Sequence, residues 1–171
     1  MKRYKSILES ISPEDIQKAN KTSRVWKETV VSKAVREFID KEDFILDFGA
    51  GKMANQARIL KDEGYNVVAY DFGLNAIDGL HDKNALRYKY DVVYASNVLN
   101  VQSSSEMMNT TLDQISKVLK PNGIFVANYT KTPRYMDMNA NDLVNQYLSK
   151  YFSTVKKVGG GSSDPVWMMR K

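Results

Sequence analysis

The segment Phe44-Ile45-Leu46-Asp47-Phe48 is a short, nearly continuous apolar run that stops at Gly49-Ala50-Gly51 and leads straight into a helix-forming stretch, residues 54–63. An apolar run of this length, ended by glycines, predicts a strand buried on both faces, as in a parallel sheet. Two glycines at its exit let the backbone turn sharply and let a ligand approach with no Cβ in the way. A strand, a glycine turn and a helix in that order restrict the chain to a layered α/β fold. Ligands in such folds sit beyond the carboxyl ends of the strands.

The alternation continues along the chain. Residues 66–71, 90–95 and 124–129 read as strands, and residues 74–80, 104–119 and 139–151 as helices. Upstream, Trp26, Val30, Val31, Ala34, Val35 and Phe38 form one apolar stripe on a helix over residues 24–39. Ser12-Pro13-Glu14-Asp15 starts another, with a Ser cap, Pro in the first position and acids in the first turn. Pro121-Asn122-Gly123 marks a turn before the fourth strand. The last strands, residues 153–158 and 166–170, are joined by a loop too short for a parallel crossover, so they form an antiparallel hairpin. The expected fold is a Rossmann-like α/β three-layer sandwich, with a mostly parallel sheet and a C-terminal antiparallel hairpin. At 171 residues the chain is expected to be one domain. Residues 40–171 form its core and residues 1–39 a helical lid over the crevice.

Composition narrows the chemistry. The chain has no cysteine and one histidine, His81, which reads as a loop residue. That removes disulfides, thiolate metal sites and cysteine nucleophiles, and it leaves no set for a His-based zinc site or a Ser-His-Asp triad; no metal is expected. No run of eighteen apolar residues and no apolar core after the basic start are present, so neither a membrane span nor a signal peptide is expected, and the expected location is the cytoplasm. The net charge is +5, and residues 130–171 carry seven basic against three acidic side chains. This excess is compatible with a nucleic-acid partner and does not establish one.

Asp71 lies twenty-four positions after Asp47, at the end of the second strand. A carboxylate there can accept two hydrogen bonds from a ribose diol, so the pair points to a nucleoside-containing cofactor. Gly49-x-Gly51-x-x-Ala54 also fits the dinucleotide pattern. Against a nicotinamide stand Asp47, which would repel a pyrophosphate at this turn, and Lys52, where a small residue is usual. The sheet also uses the 100 residues that follow Asp71, leaving none for a second domain.

The runs Ile45-Leu46-Asp47-Phe48-Gly49-Ala50-Gly51-Lys52, Val68-Ala69-Tyr70-Asp71, Tyr90-Asp91-Val92-Val93-Tyr94-Ala95-Ser96-Asn97-Val98-Leu99 and Leu119-Lys120-Pro121-Asn122-Gly123-Ile124-Phe125-Val126 resemble the class I S-adenosylmethionine-dependent methyltransferases. The resemblance covers about residues 40–171, and the hairpin matches that family's reversed last strand. Lys21-Thr22-Ser23-Arg24 with Asn97-Val98-Leu99-Asn100-Val101 resembles small methyltransferases of phages and bacterial DNA-modification gene clusters. The implied cofactor is S-adenosylmethionine and the implied activity methyl transfer to a small molecule, nucleic acid or protein, by a monomer or homodimer. The resemblance places Asp47, Gly49, Ala50 and Gly51 at the methionine end of the cofactor, with the acid near its ammonium group. It places Asp71 at the ribose, Phe72 beside the adenine, and Ser96, Asn97 and Val98 along the adenosine and facing the acceptor. Lys21, Arg24, Asn100 and Tyr129 are the candidates for contact with the acceptor.

The chain departs from the family in two places. Met53 stands where the family has a third glycine. Only twenty positions separate Asp71 from Asp91, where the family places a helix, a strand and another helix, so one strand and helix are expected to be missing on the adenine side. Asp82 and Asn84 are stand-ins for the family's adenine-contacting acid. The lack of cysteine speaks against C5-pyrimidine methylation, and the loop after residue 95 lacks the Asp/Asn-Pro-Pro-Tyr motif of amino-methylating DNA enzymes. Two other functions stay open: a non-catalytic cofactor- or nucleic-acid-binding module with this fold, and an NAD-dependent enzyme.

Overall fold

Alternate residues of β1 (Phe44–Phe48) feed two separate apolar layers. Leu46 and Phe48 face one, Ile45 the other. A strand that is apolar on both sides must be covered on both sides, and it is. The computed structural model describes residues 12–20 and 27–171. In it β1 lies within a six-stranded sheet of order β2 (Asn66–Tyr70), β1, β3 (Tyr90–Ala95), β4 (Leu119–Asn128), β6 (Val166–Arg170), β5 (Thr154–Gly159). The first four strands in that order are parallel, and β6 runs antiparallel to both β4 and β5.

On one face, α2 (Val30–Val35) and α3 (Asn55–Asp62) set Val31, Val35, Ala57 and Leu60 against Ile45, Val67, Val92 and Val126. On the other, α4 (Ser105–Val118) presents Met108, Leu112 and Ile115 to Leu46, Val93 and Phe125. Beside it packs α5, which begins at Ala140–Leu143, widens to π geometry over Val144–Leu148 and closes at Ser149–Tyr151. Each such Leu, Ile or Val contributes about 1.5–3 kcal/mol relative to exposure. The result is the Rossmann-like three-layer arrangement with a terminal hairpin. A short helix, α1 (Pro13–Asn20), precedes these elements.

Several boundaries differ from the sequence expectation. The helix expected over residues 24–39 starts at Val30, because Thr29 is extended and its hydroxyl caps the Ser32 N–H; residues 24–26 lie outside the described residues. The helix expected over residues 74–80 is a single 3-10 turn, Gly73–Asn75. Left-handed backbone at Gly73 and Gly79 breaks it, and the Ile77 N–H is taken by the His81 ring. The second strand stops at Tyr70, so Asp71 sits just past its carboxyl end. The Pro121-Asn122-Gly123 turn lies inside β4 as a bulge, with Asn122 left-handed and the register against β3 jumping from Leu119 to Ile124. Between β2 and β3 there is no further full strand or α-helix, so β2 is a sheet edge. That edge is partly covered by the Asp82 N–H, which donates to the Ala69 carbonyl at 2.9 Å.

Candidate functional site

The glycine turn is held from three sides. Gly49 (φ +74°) and Gly51 (φ +71°) are both left-handed, and a Cβ on Gly49 would meet Val98 Cγ2 at 2.5 Å. The N–H groups of Gly49 and Ala50 both donate to the Tyr70 carbonyl at 2.9 Å. Asp71 then receives the Gly51 N–H on Oδ2 at 2.6 Å and the Phe72 N–H on Oδ1 at 2.8 Å. From the far side, His81 Nδ1 accepts the Ile77 N–H at 3.0 Å. A backbone donor there assigns the ring proton to Nε2, which donates to the Gly51 carbonyl at 2.9 Å. The lone histidine is a loop residue that latches the turn.

Asp47 forms the floor. It is buried, and its Oδ2 accepts the Ala57 N–H at 3.1 Å in the first turn of α3. Burial pushes its carboxyl up to about 7; the Tyr94 hydroxyl opposes that shift, the charge of Asp71 adds to it, and the Ala57 N–H opposes it. Asp71 is raised as well, again chiefly by burial and against the pull of its two backbone donors. Tyr94 is the register partner of Asp47 on β3. Its buried hydroxyl lies against the Asp47 carboxyl yet outside hydrogen-bond geometry.

The two remaining walls are polar networks. Over the floor, the Thr29 hydroxyl meets the Ser96 hydroxyl at 2.7 Å, while Gln56 Oε1 accepts from the Thr29 N–H at 3.0 Å and from the Ser32 hydroxyl at 2.7 Å. These bonds tie the segment before α2 to α3 and to the loop after β3. Opposite, Asn97 is left-handed (φ +58°). Its N–H donates to Asn128 Oδ1 at 2.7 Å, which fixes the orientation of the Asn128 amide. Asn128 Nδ2 must then find acceptors, and it does so at Asn97 Oδ1 (2.8 Å) and Asp164 Oδ1 (2.7 Å). The Asn97 side chain is thereby oriented too, leaving its NH2 as the end free for the cleft. Further along, Gln102 donates to the Val98 carbonyl and accepts from Thr111 of α4, which locks this loop to the helix.

Asp47, Gly49, Ala50, Gly51, Asp71, Phe72, Ser96, Asn97 and Val98 all line one solvent-open cleft. The acceptor candidates fare differently. Lys21 and Arg24 lie outside the described residues. Asn100 does not line the cleft; its Oδ1 is buried without a hydrogen-bond partner. Tyr129 is wholly buried in the core, with its hydroxyl donating to the Met138 carbonyl at 3.1 Å, because it shares a strand face with Phe125 and Ala127. Tyr129→Phe is therefore expected to lower stability by about 1–2 kcal/mol through the orphaned carbonyl. Ligand affinity should be unchanged; denaturant unfolding and calorimetry on the variant check both. Cleft residues that sequence reasoning missed include Thr29, Gln56, Asn75 and Gln102, and Asn128 and Asp164 stand behind Asn97.

A profile of the methyltransferase domain matches residues 17–154, and the chain belongs to that family. No curated protein sequence matches it. Among solved structures, the chain is similar to a TehB-like SAM-dependent methyltransferase from Corynebacterium glutamicum (15% identity, 82% of this chain and 86% of that one, TM-score 0.66). It is also similar to a SAM-dependent methyltransferase from Bacteroides fragilis in complex with S-adenosyl-L-homocysteine (14%, 93% and 81%, TM-score 0.64). A third is the N-methyltransferase NodS from Bradyrhizobium japonicum, also in complex with S-adenosyl-L-homocysteine (15%, 81% and 81%, TM-score 0.56).

Proposed function

We propose that the cleft binds S-adenosylmethionine and that the chain transfers its methyl group to an acceptor entering beside Asn97. The observation that carries this is the convergence of Asp47, Gly49, Gly51 and Asp71 on one cleft in a methyltransferase-family chain. The residues present fit the ligand. A buried carboxyl on the floor suits an ammonium group. Each Asp71 oxygen keeps capacity for a second hydrogen bond, which suits a ribose diol. Gly49, with no side chain, lets Val98 close against the turn, and Phe72 offers an apolar edge to a base. A pyrophosphate would meet Asp47 instead, which weighs against NAD. The bound S-adenosylhomocysteine of the Bacteroides and Bradyrhizobium structures supports the same assignment.

The sulfonium supplies an already activated methyl group, so the chain's task is alignment. Holding two reactants in line is worth up to about 7–11 kcal/mol. Asn97 contributes an oriented N–H donor, suited to a lone-pair group on the acceptor beside its reacting atom. A general base is required only for an acceptor that must lose a proton.

Of the lid expected over residues 1–39, residues 1–11 and 21–26 lie outside the described residues; the described part acts as a lid on the core of residues 40–171. The contacts of α1 support this: Asp15 accepts a bond from the Ser103 hydroxyl, the Lys18 carbonyl accepts one from Tyr135, and the helix packs beside Gly73–Asn75. It thus reaches from the turn after Asp71 to the loops after β3 and β4. A nucleic-acid acceptor is the second reading. It is supported by the resemblance to phage and DNA-modification-cluster methyltransferases and by the basic excess in residues 130–171. DNA or RNA binding that weakens steeply with salt would mark it.

The direct test compares thermal unfolding with S-adenosylhomocysteine and with NAD. A ligand at 100 times its dissociation constant stabilises by about 2.7 kcal/mol, or roughly 5–10 °C for a chain of this size. The expected result is a shift with S-adenosylhomocysteine and none with NAD; the reverse would overturn the proposal.

A further inference from the structure

We propose that the Tyr94 hydroxyl is a positioning group for a cationic ligand head, acting as the hydrogen-bond donor reserved for the carboxylate form of Asp47. The inference rests on the assignment of S-adenosylmethionine to the cleft.

The geometry leads to it directly. Asp47 and Tyr94 are opposite one another in the β1–β3 register and both are buried. One carboxyl oxygen, Oδ2, is engaged by the Ala57 N–H. The Tyr94 hydroxyl lies beside the same carboxyl and meets no acceptor in good hydrogen-bond geometry. A buried hydroxyl without a partner costs free energy, so a site that retains one calls for an explanation. A hydroxyl offers a donor that ionised Asp47 needs and a protonated carboxyl does not.

The charged groups around the pair are few. Asp71 faces Asp47 from the end of β2. Arg36, just beyond α2, acts on Tyr94 and is itself paired with Glu28 and Glu63. From α3 come the uncharged Ala57 N–H, Asn55 and Gln56. No cation of the described chain neutralises Asp47 at contact distance, so the positive partner must arrive with the ligand. When an ammonium group enters, the Asp47 O–H bond breaks and its proton leaves to bulk buffer. The new carboxylate accepts the Tyr94 O–H on its free oxygen and keeps the Ala57 N–H on Oδ2. Tyr94 keeps its own proton throughout, since burial and the charge of Asp47 hold its hydroxyl well above the ordinary range.

The test is calorimetry of S-adenosylhomocysteine binding from pH 5.5 to 8.5, in buffers of different ionisation enthalpy, on the wild-type protein and Tyr94→Phe. The wild type should release about half to one proton per ligand at pH 6.5, with affinity rising toward pH 8. In Tyr94→Phe the Asp47 carboxyl should titrate about one pH unit higher in the complex, so affinity at pH 7 should fall about tenfold and proton release at pH 5.5 should diminish. 5′-Methylthioadenosine, which lacks the amino-acid end, should bind both proteins without proton release. Thermal unfolding of ligand-free Tyr94→Phe should match or exceed the wild type, since the deleted hydroxyl has no bond to lose. Unchanged affinity and unchanged proton release at pH 5.5 in the variant would overturn the role of Tyr94 while leaving the cofactor assignment standing. Failure of the wild type to bind S-adenosylhomocysteine would overturn both.

Discussion

Replacing Gly49 with alanine is expected to weaken S-adenosylhomocysteine binding by at least about 100-fold, because a side chain fails there on two separate counts. The backbone is left-handed at φ +74°, which costs an L-residue roughly 1–2 kcal/mol. The added Cβ would also sit 2.5 Å from Val98 Cγ2. One of the two cleft walls must then move, at about 1–3 kcal/mol for an overpacked contact. Gly49 and Val98 touch each other and both line the cleft, so any movement that relieves the clash displaces the ligand surface. The two costs can be separated. Val98→Ala in the Gly49→Ala background removes the clashing methyl and leaves the backbone strain. The double variant should recover the clash component of the affinity loss and no more. Wild-type affinity in Gly49→Ala would show that the cleft binds nothing close to this turn.

The parts of the fold legible in the sequence are those encoded locally. Two-sided apolar runs gave β1 and β3, the glycine pair gave the turn, and the short seven-residue link gave the hairpin. The shortened span between Asp71 and Asp91 gave a sheet that ends at β2. What escaped was carried by contacts between distant residues. His81 latches a turn thirty positions away, and Thr29, Gln56 and Ser96 meet from three separate elements. No periodicity records such bonds. Tyr129 is a different case, because its signal was present: residues 125, 127 and 129 share one strand face, and two small or apolar members mark that face as core. Asn128, on the other face, was the polar residue at the strand end to single out. The false helix over residues 74–80 shows the opposite error. Leu74, Ile77 and Leu80 have helical spacing, yet Gly73 and Gly79 take left-handed conformations there, and Leu74 is left exposed.

Asp71→Ala is the second large effect, and its interest lies in apportioning it. The carboxylate holds the Gly51 and Phe72 N–H groups while facing the cleft, so its loss acts both on the turn and on any ribose. Hydrogen bonds to a charged group contribute about 1.5–3 kcal/mol. The expected loss of S-adenosylhomocysteine affinity is about 3 kcal/mol, roughly 150-fold. The ligand can be cut as well as the protein. Adenosine and 2′,3′-dideoxyadenosine differ only in the two hydroxyls that Asp71 is assigned to hold. If that assignment is right, the wild type prefers adenosine and Asp71→Ala does not, because each deletion removes the same bonds and the two do not add. If Asp71 serves only to anchor the turn, the variant weakens both nucleosides equally and the preference for adenosine survives. Measuring the four affinities by ligand-observed NMR therefore separates a ribose contact from a loop tether, and a surviving preference would remove Asp71 from the binding surface while leaving it in the fold.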